Sequence, residues 1–143
     1  MSVITLAADS TTFIINDHAF TSLAEGDYLT LTFPNASTSR VNSSGGGVTI
    51  SHRVDKDVCD IVARVEKYGP DDIFMQGLLN AESPEVLNGS AKESYTADGT
   101  PSVESYTLEA GSCTTQPTQT KNNQDGNAMM EYTIQFRTAK RSL

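Results

Sequence analysis

Apolar and polar positions alternate along much of this chain, and the alternation marks short strands separated by turn residues. TTFII at 11–15 predicts a strand, Asn16-Asp17 a turn, and His18-Ala19-Phe20 a short returning arm. In DYLTLTF, Leu29, Leu31 and Phe33 share one face and Tyr28, Thr30 and Thr32 the other. VTISHRV groups Val48, Ile50, His52 and Val54, which predicts a strand with one buried face. DVCDIVARVEKY does the same with Cys59, Ile61, Ala63 and Val65, while Asp55, Lys56, Asp57 and Asp60 between the two read as a solvated turn. ESYTLEA at 104–110 and MMEYTIQFRT at 129–138 complete the strands, the last setting Met130, Tyr132, Ile134 and Phe136 against Glu131, Thr133, Gln135 and Arg137.

The period changes once. Gly69-Pro70-Asp71-Asp72 opens a predicted helix over 70–81. A first-position proline has no amide to waste, and carboxylates in the first turn complement the positive end of the helix dipole. Ile73, Phe74, Gly77, Leu78 and Ala81 recur at helical spacing as a packing face, with Gly77 marking a close approach to a strand. Three segments are polar. NASTSRVNSSGGG at 35–47, with Arg40 its only charge, has too few apolar groups to order itself and predicts a mobile loop, either solvated or ordered on a partner. Residues 82–101, punctuated by Pro84, Gly89, Gly99 and Pro101, and residues 114–127 read as further polar segments. No fixed-period repeat appears.

Composition sharpens this picture. The 143 residues suit a single domain over 1–143, and 37% hydrophobic residues, no Trp, 15 Ser and 17 Thr favour half-solvated strands over a helical bundle. The net charge of −8 argues against gripping nucleic acid, which needs clustered Lys and Arg. Acidic and basic residues number 4 and 1 in 1–50, 10 and 5 in 51–100, and 4 and 4 in 101–143, so the excess is −3, −5 and 0. Cys59 and Cys113 form no metal-binding spacing and read as free thiols, with a single disulfide the alternative. MSVITLAADS lacks a basic stretch followed by a long apolar run, so neither a signal peptide nor a membrane anchor is expected, and the chain is expected to begin its life in the cytoplasm.

Chemistry is sparse. His18 at a turn and His52 in a strand pattern read as structural or surface residues, and no GxSxG, phosphate-cradling loop or HExxH helix is present. Gly45-Gly46-Gly47 leads into a strand, whereas a phosphate loop leads into a helix. Asp55 and Asp57 lack the glycine and closing glutamate of a calcium loop. No catalytic, cofactor-binding or metal-ligating residue is assigned, no cofactor is expected, and an enzyme is not expected. A sugar-binding β-sandwich is disfavoured by the want of Trp. A small core with polar strand faces and long loops suits instead a subunit completed by neighbouring copies.

The order of elements resembles a family. FTSLAEGDYLTLTF, a polar loop with an Arg, and GGGVTISHRVDKDVCDIVARVEKYGPDDIFMQGLLN look like the tail tube proteins of tailed bacteriophages, especially the inner-tube subunits of contractile tails, over roughly residues 10–81. The resemblance implies a mainly β, sandwich- or barrel-like domain with one flanking helix and no enzymatic activity. Six copies would form a ring, the inner strands would join into a barrel, and rings would stack into a hollow tube for the genome. The segment that would reach the next ring runs from Asn35 to Gly47, with Ser39, Arg40, Asn42, Gly45 and Gly46 within it, and Arg40 would meet a neighbour's carboxylate. An acidic bore would let DNA pass without sticking, and Asp27, Asp60, Glu66, Glu104 and Glu131 are its candidate lining. Tyr28, Tyr106, Met129 and Met130 are candidate interface anchors. The implied partners are further copies of the chain, tail sheath, baseplate and terminator proteins, with viral DNA in transit and no membrane insertion. The implied location is the virion after assembly in the host cytoplasm. Neither cysteine belongs to the family pattern, and a bond between subunits would staple a tube. A terminator, tube initiator, baseplate hub ring or injection-system tube on the same domain are the alternatives.

Overall fold

A computed structural model describes residues 2–24, 26–121, 123 and 129–143, with residues 7–10 described in backbone only. Among the described residues nine strands and one helix follow one another as β1 (Ile4–Ile15), β2 (His18–Ala19), β3 (Leu29–Thr32), β4 (Thr38–Asn42), β5 (Val48–His52), β6 (Cys59–Glu66), α1 (Pro70–Asn80), β7 (Leu87–Ala97), β8 (Thr100–Cys113) and β9 (Met129–Ser142). Seven strands make an antiparallel sheet in the order β2-β1-β7-β8-β9-β6-β3, while β4 and β5 pair only with each other. The mainly β reading with one helix holds.

The core is where the alternating faces meet. Cys59, Ile61, Ala63 and Val65 of β6 are fully buried, as are Tyr132, Ile134 and Phe136 of β9. They form one cluster with Phe13 and Ile15 of β1, Leu87 and Ala91 of β7, and Leu108 of β8. β1 and β6 are separated by three intervening strands, so the sheet must curl until its two ends face each other. Asn16 and Asp17 take φ of 47° and 67°, the two positive values a tight two-residue hairpin turn requires. This fixes the return into β2 as the sequence predicts.

Several expectations are changed by the tertiary structure. The polar segment 82–101 contains β7, a central strand between β1 and β8. Only Leu87 and Ala91 are buried in it, so its low hydrophobicity is tolerated because pairing along both edges holds it. The segment 35–47 is not loop throughout. Thr38–Asn42 pairs residue by residue with Val48–His52, Arg40 opposite Ile50 and Asn42 opposite Val48. β5 buries no face, since every residue is exposed, and neighbouring Val54 is 89% exposed. In α1 the expected packing face holds only in part: Phe74 and Leu78 pack against the core, but Ile73 is exposed, a Cβ on Gly77 would meet nothing, and Met75 and Asp71 are the fully buried positions. The close approaches fall elsewhere. A Cβ on Gly89 would stand 2.0 Å from the Ile14 carbonyl oxygen, and one on Gly111 2.4 Å from the Phe136 ring.

Phe33, which shares a face with Leu29 and Leu31 in the alternation, is 40% exposed, while the two leucines pack at the edge of the core. Part of the predicted 114–127 segment, residues 122 and 124–127, lies outside the described residues. No helix among the described residues is long and apolar enough to cross a membrane.

Candidate functional site

Local sequence explains the hairpin β4–β5. Ser43 closes its turn, donating its backbone amide to the Gly47 carbonyl at 2.8 Å, while its Oγ accepts the Gly47 amide at 3.0 Å. Gly46 has φ of 90°, a conformation open to glycine and costly to most other residues. In this antiparallel register directly opposed residues share a face, so Arg40, Asn42, Val48 and Ile50 lie together. Val41, Val48 and Ile50 are 62%, 46% and 62% exposed. The Arg40 Nε donates to Asn42 Oδ1 at 3.1 Å, and among the described residues no carboxylate of its own chain pairs with it. A two-stranded hairpin with no face buried is at best marginally stable in water. Its apolar side chains are left uncovered by the described residues of this chain.

At the hairpin base, Arg53 holds Asp55 through two hydrogen bonds of 3.1 and 3.0 Å, and these pull the exposed Asp55 carboxyl below the usual carboxylate range. Asn35 anchors the entering chain by donating Nδ2 to the Asp55 carbonyl. Arg137 of β9 donates Nη2 to the Val54 carbonyl at 3.2 Å, which fastens the root of the hairpin to the sheet, while every residue of β4 and β5 beyond it is exposed.

A groove of about 270 Å³ opens where the two ends of the curled sheet approach each other. Leu29 and Leu31 of β3, Tyr28, Ala91 and Tyr106 give it an apolar surface, and Asp27, Glu93 and Glu104 give it three carboxylates against Lys92. Glu93 of β7 lies directly opposite Glu104 of β8, an unfavourable like-charge pair relieved by Arg141, which donates from Nε to Glu104 at 2.8 Å and from Nη2 as well. Burial first, and then the Glu104 charge, raise the Tyr106 phenol above its ordinary pKa.

The five lining candidates fall in two places. Asp27 and Glu104 border the groove. Asp60, Glu66 and Glu131 lie on the solvent-facing side of the β6–β9 pair, opposite the core. There Asp60 accepts from Gln135 Nε2 at 2.8 Å and Glu131 faces the Arg64 Nε at 3.4 Å. Of the interface candidates, Tyr28 and Tyr106 border the groove half-buried, Met129 is half-buried at the start of β9, and Met130 is 6% exposed within the core.

A third cluster was not legible as such. Asp71, explained in the sequence by the helix dipole, is fully buried and accepts from His18 Nε2 at 2.8 Å, the Thr21 amide at 3.0 Å, and the Ser22 amide and Oγ at 2.7 and 2.9 Å. The His18 ring stacks on Phe74 with centroids 4.1 Å apart. Ser22 in turn accepts the Glu66 amide, and Leu23 bridges to Val65, so one carboxylate ties α1 and the chain after β2 to β6. Next to it Asp72 accepts from the buried Tyr132 hydroxyl. Cys59 is fully buried, which raises its thiol to about 11, and Cys113 is half-buried; both are free. Cys59 is therefore out of reach of a bond between folded subunits. Among the described residues no group of three or more His, Cys, Asp or Glu is placed to hold a metal.

No family model matches the chain, and no curated protein matches it in sequence. Solved structures do match the fold. A chain of the tube terminating cap of the anti-feeding prophage superposes with a TM-score of 0.64 at 13% identity, covering 96% of this chain and 90% of that one. A chain of the sheath-tube complex of PVC, an extracellular contractile injection system, in its extended state gives 0.62 at 10% identity, again covering 96% and 90%. A chain of the sheath/tube terminator of PVC gives 0.63 at 9% identity over 96% of both. The fold is thus that of tube components from contractile injection systems and prophages, as the resemblance in sequence implies.

Proposed function

We propose that this chain is a non-enzymatic, ring-forming structural subunit of a contractile tail or injection machine, and specifically the tube subunit whose rings stack into a hollow conduit. The observation that carries this reading is the fully exposed β4–β5 hairpin on a fold shared with such machines. A hairpin that protrudes from one surface and is covered by a different surface of a second copy makes a head-to-tail contact, and head-to-tail contacts that do not close generate open filaments. Rings of six, with sheath, baseplate and terminator proteins as partners, complete the reading. The particle would assemble in the host cytoplasm and the chain reside in the finished tail.

The acidic composition fits a conduit that DNA crosses without binding. Asp60, Glu66 and Glu131 share the outward face of β6 and β9 with Arg64 and Arg137, and this face, with one carboxylate more than it has guanidiniums, is the candidate bore. Glu104, whose charge is met by Arg141, borders the groove.

A second reading, a single-ring terminator, draws on the tube terminating cap and the sheath/tube terminator among the matching structures. Electron microscopy of the purified protein decides between them. Long tubes are expected; closed rings alone would favour the terminator, and monomers at all concentrations would refute both. A neutral or basic bore in the assembled tube would refute the acidic conduit.

A further inference from the structure

From the groove and the hairpin together, we infer that the β4–β5 hairpin of one copy seats in the groove of a second copy, Ile50 entering the apolar floor and Arg40 meeting the carboxylate rim. The inference rests on the assembly reading above and names the surface that receives the hairpin. Two properties match at once. The donor face pairs one cation with Val48 and Ile50, and the receiving groove pairs Asp27, Glu93 and Glu104 with Leu29, Leu31 and Tyr106. The scale matches too: ~300–1,000 Å³ is usual for small-molecule sites, whereas about 270 Å³ suits a side chain or two. Glu93 stands opposite Glu104, whose charge Arg141 already engages, and among the described residues no cation pairs with Glu93, so an incoming guanidinium would supply one. Removing the exposed Val48 and Ile50 from water supplies the driving force, and the charges fix the register.

The donor and acceptor surfaces differ, so each copy gives one hairpin and receives another, and the contact propagates. Edge-on pairing of the free strands would not select Arg40 or Glu93 in particular.

The full chain carrying p-benzoylphenylalanine in place of Ile50 tests the inference, with sedimentation to read assembly and mass spectrometry to map photocrosslinks. Crosslinks from assembled protein are expected in 27–31, 91–93 or 104–106. Arg40→Glu and Glu93→Lys should each raise the concentration for half-assembly at least tenfold, and the double reversal should recover most of that loss. Both positions are at least partly solvent-accessible, and circular dichroism of each variant should match the parent. Crosslinks mapping elsewhere in assembled protein, or single reversals that move the midpoint less than twofold, would overturn the groove while leaving the assembly reading standing. Protein that never assembles would overturn both.

Discussion

Asp71 offers the sharpest test of how this fold is held together. Its carboxylate is fully buried and takes four hydrogen bonds from the chain around β2, so it fastens α1 to a segment that bridges β6. Replacing it with alanine strands those donors. Hydrogen bonds to a charged group contribute ~1.5–3 kcal/mol each, but His18 is 26% exposed and Thr21 open to solvent, so water recovers part of the loss. The expected cost of Asp71→Ala is ~3–5 kcal/mol, in the class of exceptional single substitutions. Asp71→Asn should cost only ~1–2 kcal/mol. Its amide oxygen can take the place of Oδ2, which serves Thr21 and Ser22, and its NH₂ can donate to a neutral His18 Nε2. Urea unfolding followed by far-UV circular dichroism, under conditions where sedimentation shows monomer, reads both variants. With a slope of ~2 kcal/mol/M, the alanine variant should lose ~2 M in midpoint. An alanine variant within about 1 kcal/mol of the parent, or an asparagine variant as damaged as alanine, would refute the anchoring role.

The glycines give opposite expectations: Gly77→Ala should stabilise by ~0.5–1 kcal/mol in thermal unfolding because nothing lies near its Cβ, whereas Gly89→Ala should destabilise by ~3 kcal/mol or more because a backbone carbonyl cannot yield. The raised Cys59 thiol keeps its proton in the folded state while an unfolded thiol loses it from pH 9 upward. Stability from this source is complete below pH 9 and lost as pH rises to about 11, and Cys59→Ala should remove ~2–3 kcal/mol of that alkaline loss in urea titrations at successive pH values. In native protein a thiol reagent should modify Cys113 first and reach Cys59 only on unfolding; equal rates would contradict the burial. Dilution to monomer should make the 38–52 hairpin the first site of proteolysis, and assembly should protect it; cleavage unchanged by assembly would count against the hairpin as an interface.

How much was legible depends on whether a residue's role is local. β6 and β9 were readable because β6 buries one face along its length and β9 does so from Met130 to Phe136, so a period of two survives in the sequence. The Asn16-Asp17 turn was readable because its geometry needs residues that tolerate positive φ. Asp98-Gly99, with φ of 48° and 81°, carries the same signal and could have revealed the β7–β8 hairpin. β7 itself was hidden, since a strand paired on both edges needs little burial of its own and its composition reads as loop. The hairpin was hidden for the converse reason: its strands pair with each other and bury nothing in this chain.

By itself the sequence determined the mainly β class, the single helix, the inward faces of β6 and β9, and the acidic balance, all set by local periodicity and composition. Only the tertiary structure decided which polar segments become strands, that Asp71 is a buried anchor and not merely a helix-end charge, and that Glu93 and Glu104 meet beside Leu29 and Tyr106. The reason is physical. Strand pairing and charge burial depend on neighbours far along the chain, and the curl of the sheet that brings its ends together has no local signature.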